Sequence, residues 1–243
     1  MLFNSPRNSL EGHLGVIDAA DCKIWCIASE KNVQVEQILS KRAMRIMFLP
    51  SLDSLLHEIP VDPYPFTKSF EEAKNDPILV LHTSGSTGLP KPIFVVQWLM
   101  STIDAYNTLP GMEGKQMQLA AWKKMKFLST FPPFHSAGIT ISFYMPVFNG
   151  ISIVLPPPDK PVSQDMVNLV LDAVEVHGAF LAPSTVEEMA FNPDSLERVK
   201  RLKFVVTGGG PISKLAGSKI MTVSKMENML GKSATTVTYA ALF

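Results

Sequence analysis

The run His82-Thr83-Ser84-Gly85-Ser86-Thr87-Gly88-Leu89-Pro90-Lys91-Pro92 brings four hydroxyls, two glycines and one lysine together. Glycines let backbone N–H groups close round an anion, hydroxyls donate to its oxygens, and the ammonium supplies the opposing charge. That chemistry fits a polyphosphate. The commonest phosphate loop is excluded, because it needs Gly-Lys-Ser/Thr in succession and here Leu89 and Pro90 separate Gly88 from Lys91. Ser/Thr/Gly/Pro clusters also make ordinary hairpin connections, and composition alone leaves that reading open.

Two further stretches carry candidate side chains. Phe131-Pro132-Pro133-Phe134-His135-Ser136-Ala137-Gly138 follows a predicted strand over 126–131. Ligand sites in open α/β sheets lie at the carboxyl ends of strands. A histidine beside aromatics is otherwise an ordinary core or loop residue. Gly208-Gly209-Gly210-Pro211 ends a predicted strand over 201–207 and has part of a dinucleotide-binding fingerprint. Its third glycine position holds Ser213, and Glu227 falls in no convincing second strand. An NAD(P)-binding oxidoreductase is therefore the weaker alternative.

The remaining candidates reduce to structure. His13, His57, His82 and His177 are expected to be structural. Cys22 and Cys26 form a lone C-x₃-C pair among strand-like neighbours, which reads as buried thiols. Glu187 and Glu188 are consecutive helical residues that cannot face each other, so paired acid–base work is not expected of them. Thr185 and Glu188 read instead as a capping box. No metal-ligand set is assigned.

Taken together, the three motifs resemble those of the adenylate-forming superfamily: acyl- and aryl-CoA ligases, luciferases and peptide-synthetase adenylation domains. Ser84, Gly85, Ser86, Thr87, Gly88 and Lys91 match its phosphate signature position by position, with Thr83 adjoining. The resemblance implies that this loop holds ATP phosphates. It implies that Phe134, His135 and Gly138 line a carboxylate pocket and that Gly208, Gly209, Gly210 and Pro211 pack on the adenine. Ser5-Pro6-Arg7-Asn8-Ser9 and the His-Thr start of the loop look most like fungal nonribosomal-peptide-synthetase-like enzymes. The implied reaction converts a carboxylic acid and ATP into acyl-adenylate and pyrophosphate. The acyl group then passes to a pantetheine thiol, on CoA or a phosphopantetheine carrier domain, in secondary metabolism. Mg²⁺ is the implied metal, yet the family's metal-binding glutamate has no counterpart at the chain end Thr238-Tyr239-Ala240-Ala241-Leu242-Phe243. Residues 1–243 are thus expected to form part of the large N-terminal domain, without the lid and its catalytic lysine. A truncated, inactive remnant or a partner-binding module is the alternative. No residue is assigned as catalytic.

Bulk properties set the bounds. The 243 residues are 46% hydrophobic, enough for a sizeable core. Charged residues make up 18%, below the roughly 25% of soluble domains, so part of the surface is expected to be covered. Lys plus Arg and Asp plus Glu number 22 each, which disfavours nucleic acid as a partner. Residues 127–158 contain no charge, but Pro132, Pro133, Pro146 and Gly150 break the stretch, so a buried core rather than a membrane span is expected. The N-terminus has no signal-peptide core, and a cytoplasmic protein is expected.

The elements that must position these residues are those of an α/β fold: mixed, largely parallel sheets covered by helices. A β-α-β unit is predicted over 23–49, with its helix over 33–42. Strands flank the phosphate loop at 78–81 and 93–96, and helices are predicted over 98–107 and 116–124. Ser163 is the expected N-cap of a helix that Gly178 stops, ahead of a strand over 179–182.

Overall fold

The computed structural model describes residues 1–28, 32–57, 61–83, 89–105, 107–109, 118–158, 160–230 and 239–241. The chain divides into two compact units, Met1–Trp98 and Leu99–Phe243.

In unit 1, Ser9 caps α1 (Leu10–Ala19) by accepting from the Gly12 N–H, and Val16 and Ile17 bury one face of the helix. The sequence reading passed over this helix, whose Ser9 cap was legible. β1 (Ile24–Ile27), α2 (Val33–Lys41) and β2 (Arg45–Phe48) form the expected β-α-β unit, with the strands parallel. α3 (Leu52–Leu56) is one short turn whose Leu52, Leu55 and Leu56 are exposed. α4 (Phe70–Ala73) opens on a true capping box between Ser69 and Glu72. β3 (Pro77–His82) and β4 (Pro92–Val96) then pair antiparallel on either side of the phosphate loop. β3 is buried along Leu79 to His82, and Leu2 bridges Val80 on its other side.

α5 (Gln97–Ala105) carries the chain into unit 2, where α6 (Gln118–Ala121) is shorter than the helix predicted over 116–124. β5 (Lys126–Ser129) follows. α7 (Ser136–Ile139), a π-helical turn (Thr140–Tyr144) and α8 (Met145–Asn149) run on as one segment, stopped by left-handed Gly150 at φ 63°. Then come β6 (Ser152–Val154), α9 (Gln164–Ala173), β7 (Gly178–Leu181), α10 (Pro183–Ala190), α11 (Pro193–Val199), β8 (Phe204–Gly208), α12 (Lys214–Met221), β9 (Lys225–Leu230) and β10 (Tyr239–Ala241).

The strand order is β10-β9-β8-β7-β5-β6, with β5 to β9 parallel and β10 antiparallel to β9. Every residue of β7 is buried, as a strand covered on both faces must be. One face carries Leu128, Ala179 and Val205 against Val167, Val186, Val199 and Ile220 from α9 to α12. The other carries Phe127, Phe180 and Val206 against Trp122, Ile141 and Met145. Trp122 packs 5.3 Å from Phe127 and 5.5 Å from Phe180 between ring centroids. The uncharged stretch is core only in part: Phe127, Leu128, Ile139, Ile141, Met145 and Ile151 are buried, while Phe143, Val147 and Leu155 are exposed. No helix among the described residues is long and apolar enough to cross a membrane.

Four local expectations need correction. The Cys22 and Cys26 thiols are not buried, Cys22 being half-buried and Cys26 exposed in β1. Gly178 does not stop α9, which ends at Ala173 with Val174 as its cap; Gly178 begins β7, where a Cβ would lie 2.7 Å from Phe127 Cε1. Thr185 opens no capping box, because Pro183 starts α10 after Ala182 and Thr185 is already buried inside the helix. Glu227 does lie in a strand, β9, parallel to β8.

Candidate functional site

The stem of the candidate phosphate loop is built within unit 1. The Thr83 N–H donates to the Lys91 carbonyl at 3.1 Å, closing the hairpin, and the Lys91 side chain is exposed. His82, nearly buried at the end of β3, accepts the Ser5 N–H on Nε2 at 2.9 Å. Nε2 thus carries no proton, and Nδ1 faces the Thr83 carbonyl at 3.3 Å as its donor. The Asn8 amide also approaches Nε2, at 3.3 Å. Gly12 of α1 backs the loop, since a Cβ there would stand 3.0 Å from Pro90 Cδ. His13, the next residue, is buried, and neither ring nitrogen meets a hydrogen-bond partner among the described residues. Burial, and secondarily His82, holds its pKa below the usual 6.5. Ser84, Gly85, Ser86, Thr87 and Gly88 lie outside the described residues.

Unit 2 presents the other two motifs at the carboxyl ends of β5 and β8. Because those strands are parallel and separated only by β7, both turns leave the same edge of the sheet. From β5 the chain goes on to β6 on one side, and from β7 it goes on to β8 on the other, so the order reverses between β5 and β7. That is the switch point at which open α/β sheets take ligands.

After β5, His135 is the N-cap of α7 without a side-chain capping bond, and its N–H donates to the Pro132 carbonyl at 3.0 Å. The imidazole is exposed and its ring centroid lies 4.9 Å from that of Phe134. Gly138 is buried against Pro132, where no other residue fits. The π-helical turn follows two residues later; such bulges are frequent at functional sites.

After β8, Gly208 is enclosed, since a Cβ would lie 2.5 Å from the Met229 carbonyl oxygen. Gly209 takes φ 88°, a backbone state that side chains rarely allow. Gly210 and Pro211 are exposed. Ser213 then caps α12 through the Ala216 N–H at 3.1 Å. Glu187, from α10, accepts both the Ser213 N–H and, at 2.9 Å, the Ser213 hydroxyl. Its neighbour Glu188 accepts the Gln164 N–H at 3.2 Å, at the start of α9. The two glutamates thus hold the starts of two different helices, a role the sequence reading missed.

This geometry argues against a dinucleotide site at the glycine turn. Such a site sets pyrophosphate on the helix N-terminus and an acid at the end of the next strand. Here a carboxylate already occupies the start of α12. Glu227 sits in mid-strand, paired in register with Val206 and buried, with one oxygen 2.9 Å from Lys225 Nζ. Among the other histidines, His177 accepts the Lys126 N–H at 3.0 Å and His57 faces the Asp53 carbonyl, both structural arrangements.

The sequence of residues 6–241 matches the family model described as AMP-binding enzyme. The chain belongs to this family. It is 37% identical over 235 residues to the isocyanide synthase–NRPS hybrid crmA of Aspergillus fumigatus, covering 95% of this chain and 15% of that protein. To a carboxylic acid reductase of Neurospora crassa it is 32% identical over 223 residues, covering 90% and 21%. The chain therefore spans about a fifth or less of these curated relatives. Its fold is similar to ATP-bound MatB from Rhodopseudomonas palustris (TM-score 0.74, 14% identity, 98% of this chain and 46% of that one). It is likewise similar to the N-terminal subdomain of Klebsiella oxytoca NpsA in complex with 3-hydroxybenzoyl-AMSN (TM-score 0.69, 17% identity, 98% and 55%). AMP-binding enzymes use ATP, the nucleotide bound in the first of these structures. Among the described residues no group of three or more His, Cys, Asp or Glu is arranged to hold a metal ion.

Proposed function

We propose that residues 1–243 are part of the N-terminal domain of an enzyme that activates a carboxylic acid as its acyl-adenylate and passes it to a pantetheine thiol. The observation that supports this reading is that the stretches 131–138 and 208–211 leave one sheet edge on either side of the strand-order reversal, in a chain that matches the family model over residues 6–241. In it, Thr83 to Gly88 and Lys91 hold the ATP phosphates. Gly208, Gly209, Gly210 and Pro211 meet the base, and Phe134, His135 and Gly138 border the acid. The protein's part in such a reaction is positional and electrostatic: it aligns the carboxylate with the α-phosphate and offsets charge on the departing pyrophosphate. The relatives' names, an NRPS hybrid and a carboxylic acid reductase, support a carrier domain as acceptor and a place in fungal secondary metabolism.

The test is ATP–pyrophosphate exchange with a panel of carboxylic acids, using protein that contains these residues in their natural continuation. Exchange that depends on one class of acid supports the reading. Nucleotide binding with no exchange for any acid would favour the inactive or partner-binding alternative.

A further inference from the structure

We infer that Glu187 is a positioning residue for nucleotide binding, acting through Ser213 to fix the shape of the 208–211 turn. This rests on the reading that the turn meets the nucleotide.

The turn has little to hold it from within. Gly209 is in a left-handed conformation open to glycine's full range, and Gly209, Gly210 and Pro211 are exposed. β8 fixes its start through Gly208, enclosed by Met229. Its far end depends on where α12 begins, and only Ile212 separates Pro211 from Ser213. Ser213 is held completely: its hydroxyl accepts from Ala216 N–H and donates to one Glu187 oxygen, while its N–H donates to the other. In an ordinary capping box that glutamate comes from the helix's own first turn. Here it comes from α10, the helix that follows the neighbouring strand β7.

α10 also comes near the turn at a second point. A Cβ on Gly210 would lie 3.6 Å from Pro183 Cγ, and Pro183 is the first residue of α10. Pro183 and Glu187 are four apart, so they stand on one face of the helix, one turn from each other. One helix face thus lies beside the turn at Gly210 and clamps the residue beyond it at Ser213. The carboxylate also places negative charge at the start of α12, which turns phosphate away from that helix end. The exposed backbone of 209–211 is left for an uncharged part of the nucleotide.

The test pairs two measurements on purified residues 1–243: equilibrium binding of AMP, and amide hydrogen exchange across residues 208–216. Glu187→Ala is expected to weaken AMP binding about ten-fold or more, the scale of a lost charge-assisted hydrogen bond, and to raise exchange at 209–213. Glu187→Gln keeps one acceptor and should lose less. In a Ser213→Ala background, Glu187→Ala should cost distinctly less than in the wild type, because the two act as a unit. A merely structural role would lower the melting temperature and leave the affinity of the folded fraction unchanged. Equal AMP affinity in the wild type and both Glu187 variants overturns this inference and leaves the nucleotide reading standing. A wild type that binds no AMP overturns the nucleotide reading and this inference with it, whatever the exchange data show.

Discussion

Gly138 stands so close to Pro132 that a Cβ at this position would lie 1.9 Å from the Pro132 carbonyl oxygen. The contact is with backbone, which cannot swing aside as a side chain can. It fixes the path by which the chain leaves β5, doubles back at Phe134 and His135, and starts α7. The Pro132 carbonyl also receives the His135 N–H, so one oxygen anchors both ends of the turn.

Gly138→Ala is therefore expected to destabilise the protein by about 1–3 kcal/mol, the cost of overpacking, and to displace His135. Urea unfolding measures the loss. A variant as stable as wild type would mean that the turn can relax away from α7.

His82 supports a second prediction. Removing its imidazole leaves the Ser5 N–H buried without an acceptor, so His82→Ala should cost about 1–3 kcal/mol. His82→Gln can present an oxygen near the position of Nε2 and should recover part of that. Equal losses in the two variants would show that the hydrogen bond is not what matters.

The buried His13 sets a pH dependence. Its folded-state pKa lies below the usual 6.5, so the unfolded chain takes up the proton first as pH falls. The stability it allows is present above about pH 6.5 and is lost on acidification below that value. Denaturation midpoints at pH 7.5 and 5.5 should differ less in His13→Leu than in the wild type. An unchanged difference would assign the acid sensitivity to other groups.

Much of this was legible in sequence because the signals were local. The β-α-β unit over 23–49, the Asn149-Gly150 stop and the strand before each motif all announce themselves through periodicity or turn residues. What was missed depends on contacts far apart in the chain. Glu188 looked like a cap for its own helix because a capping box is a four-residue pattern; only the fold shows it reaching Gln164. Gly178 looked like a helix stop because nothing local says that Phe127 lies against it. Glu227 looked misplaced for a strand because Lys225, Glu227 and Asn228 are poor strand formers, and pairing with β8 overrode that preference. The family resemblance rests on residue order, which needs no contacts, while the clamp at Ser213 could be found only from them.

Lys91 sits at the exit of the candidate loop, its backbone carbonyl held by Thr83 and its side chain exposed. If it meets the polyphosphate, Lys91→Ala should weaken ATP binding by about 1.5–3 kcal/mol, the scale of a hydrogen bond to a charged group. AMP lacks the outer phosphates and should be affected less. Titration calorimetry with both nucleotides tests this, and equal effects on ATP and AMP would place Lys91 elsewhere on the ligand.

Binding and chemistry are expected to separate in this protein. The fold of residues 1–243 covers 46% of the MatB chain it resembles, so the rest of that chain has no counterpart in these residues. Binding needs a turn and a loop of the right shape, whereas adenylation needs charge stabilisation at the moment pyrophosphate leaves. Losing one such contributor typically costs ~10²–10³ in rate. Expressed alone, residues 1–243 should bind nucleotide yet show acid-dependent ATP–pyrophosphate exchange at least ~10²-fold below that of the same residues fused to the C-terminal half of a relative. Measuring AMP affinity in both proteins guards against simple misfolding of the shorter one, since affinities that agree while exchange differs locate the deficit in the chemical step. Comparable exchange from the two would mean that these 243 residues carry a complete catalytic apparatus, and the division of labour proposed for the loop and turns would have to be redrawn.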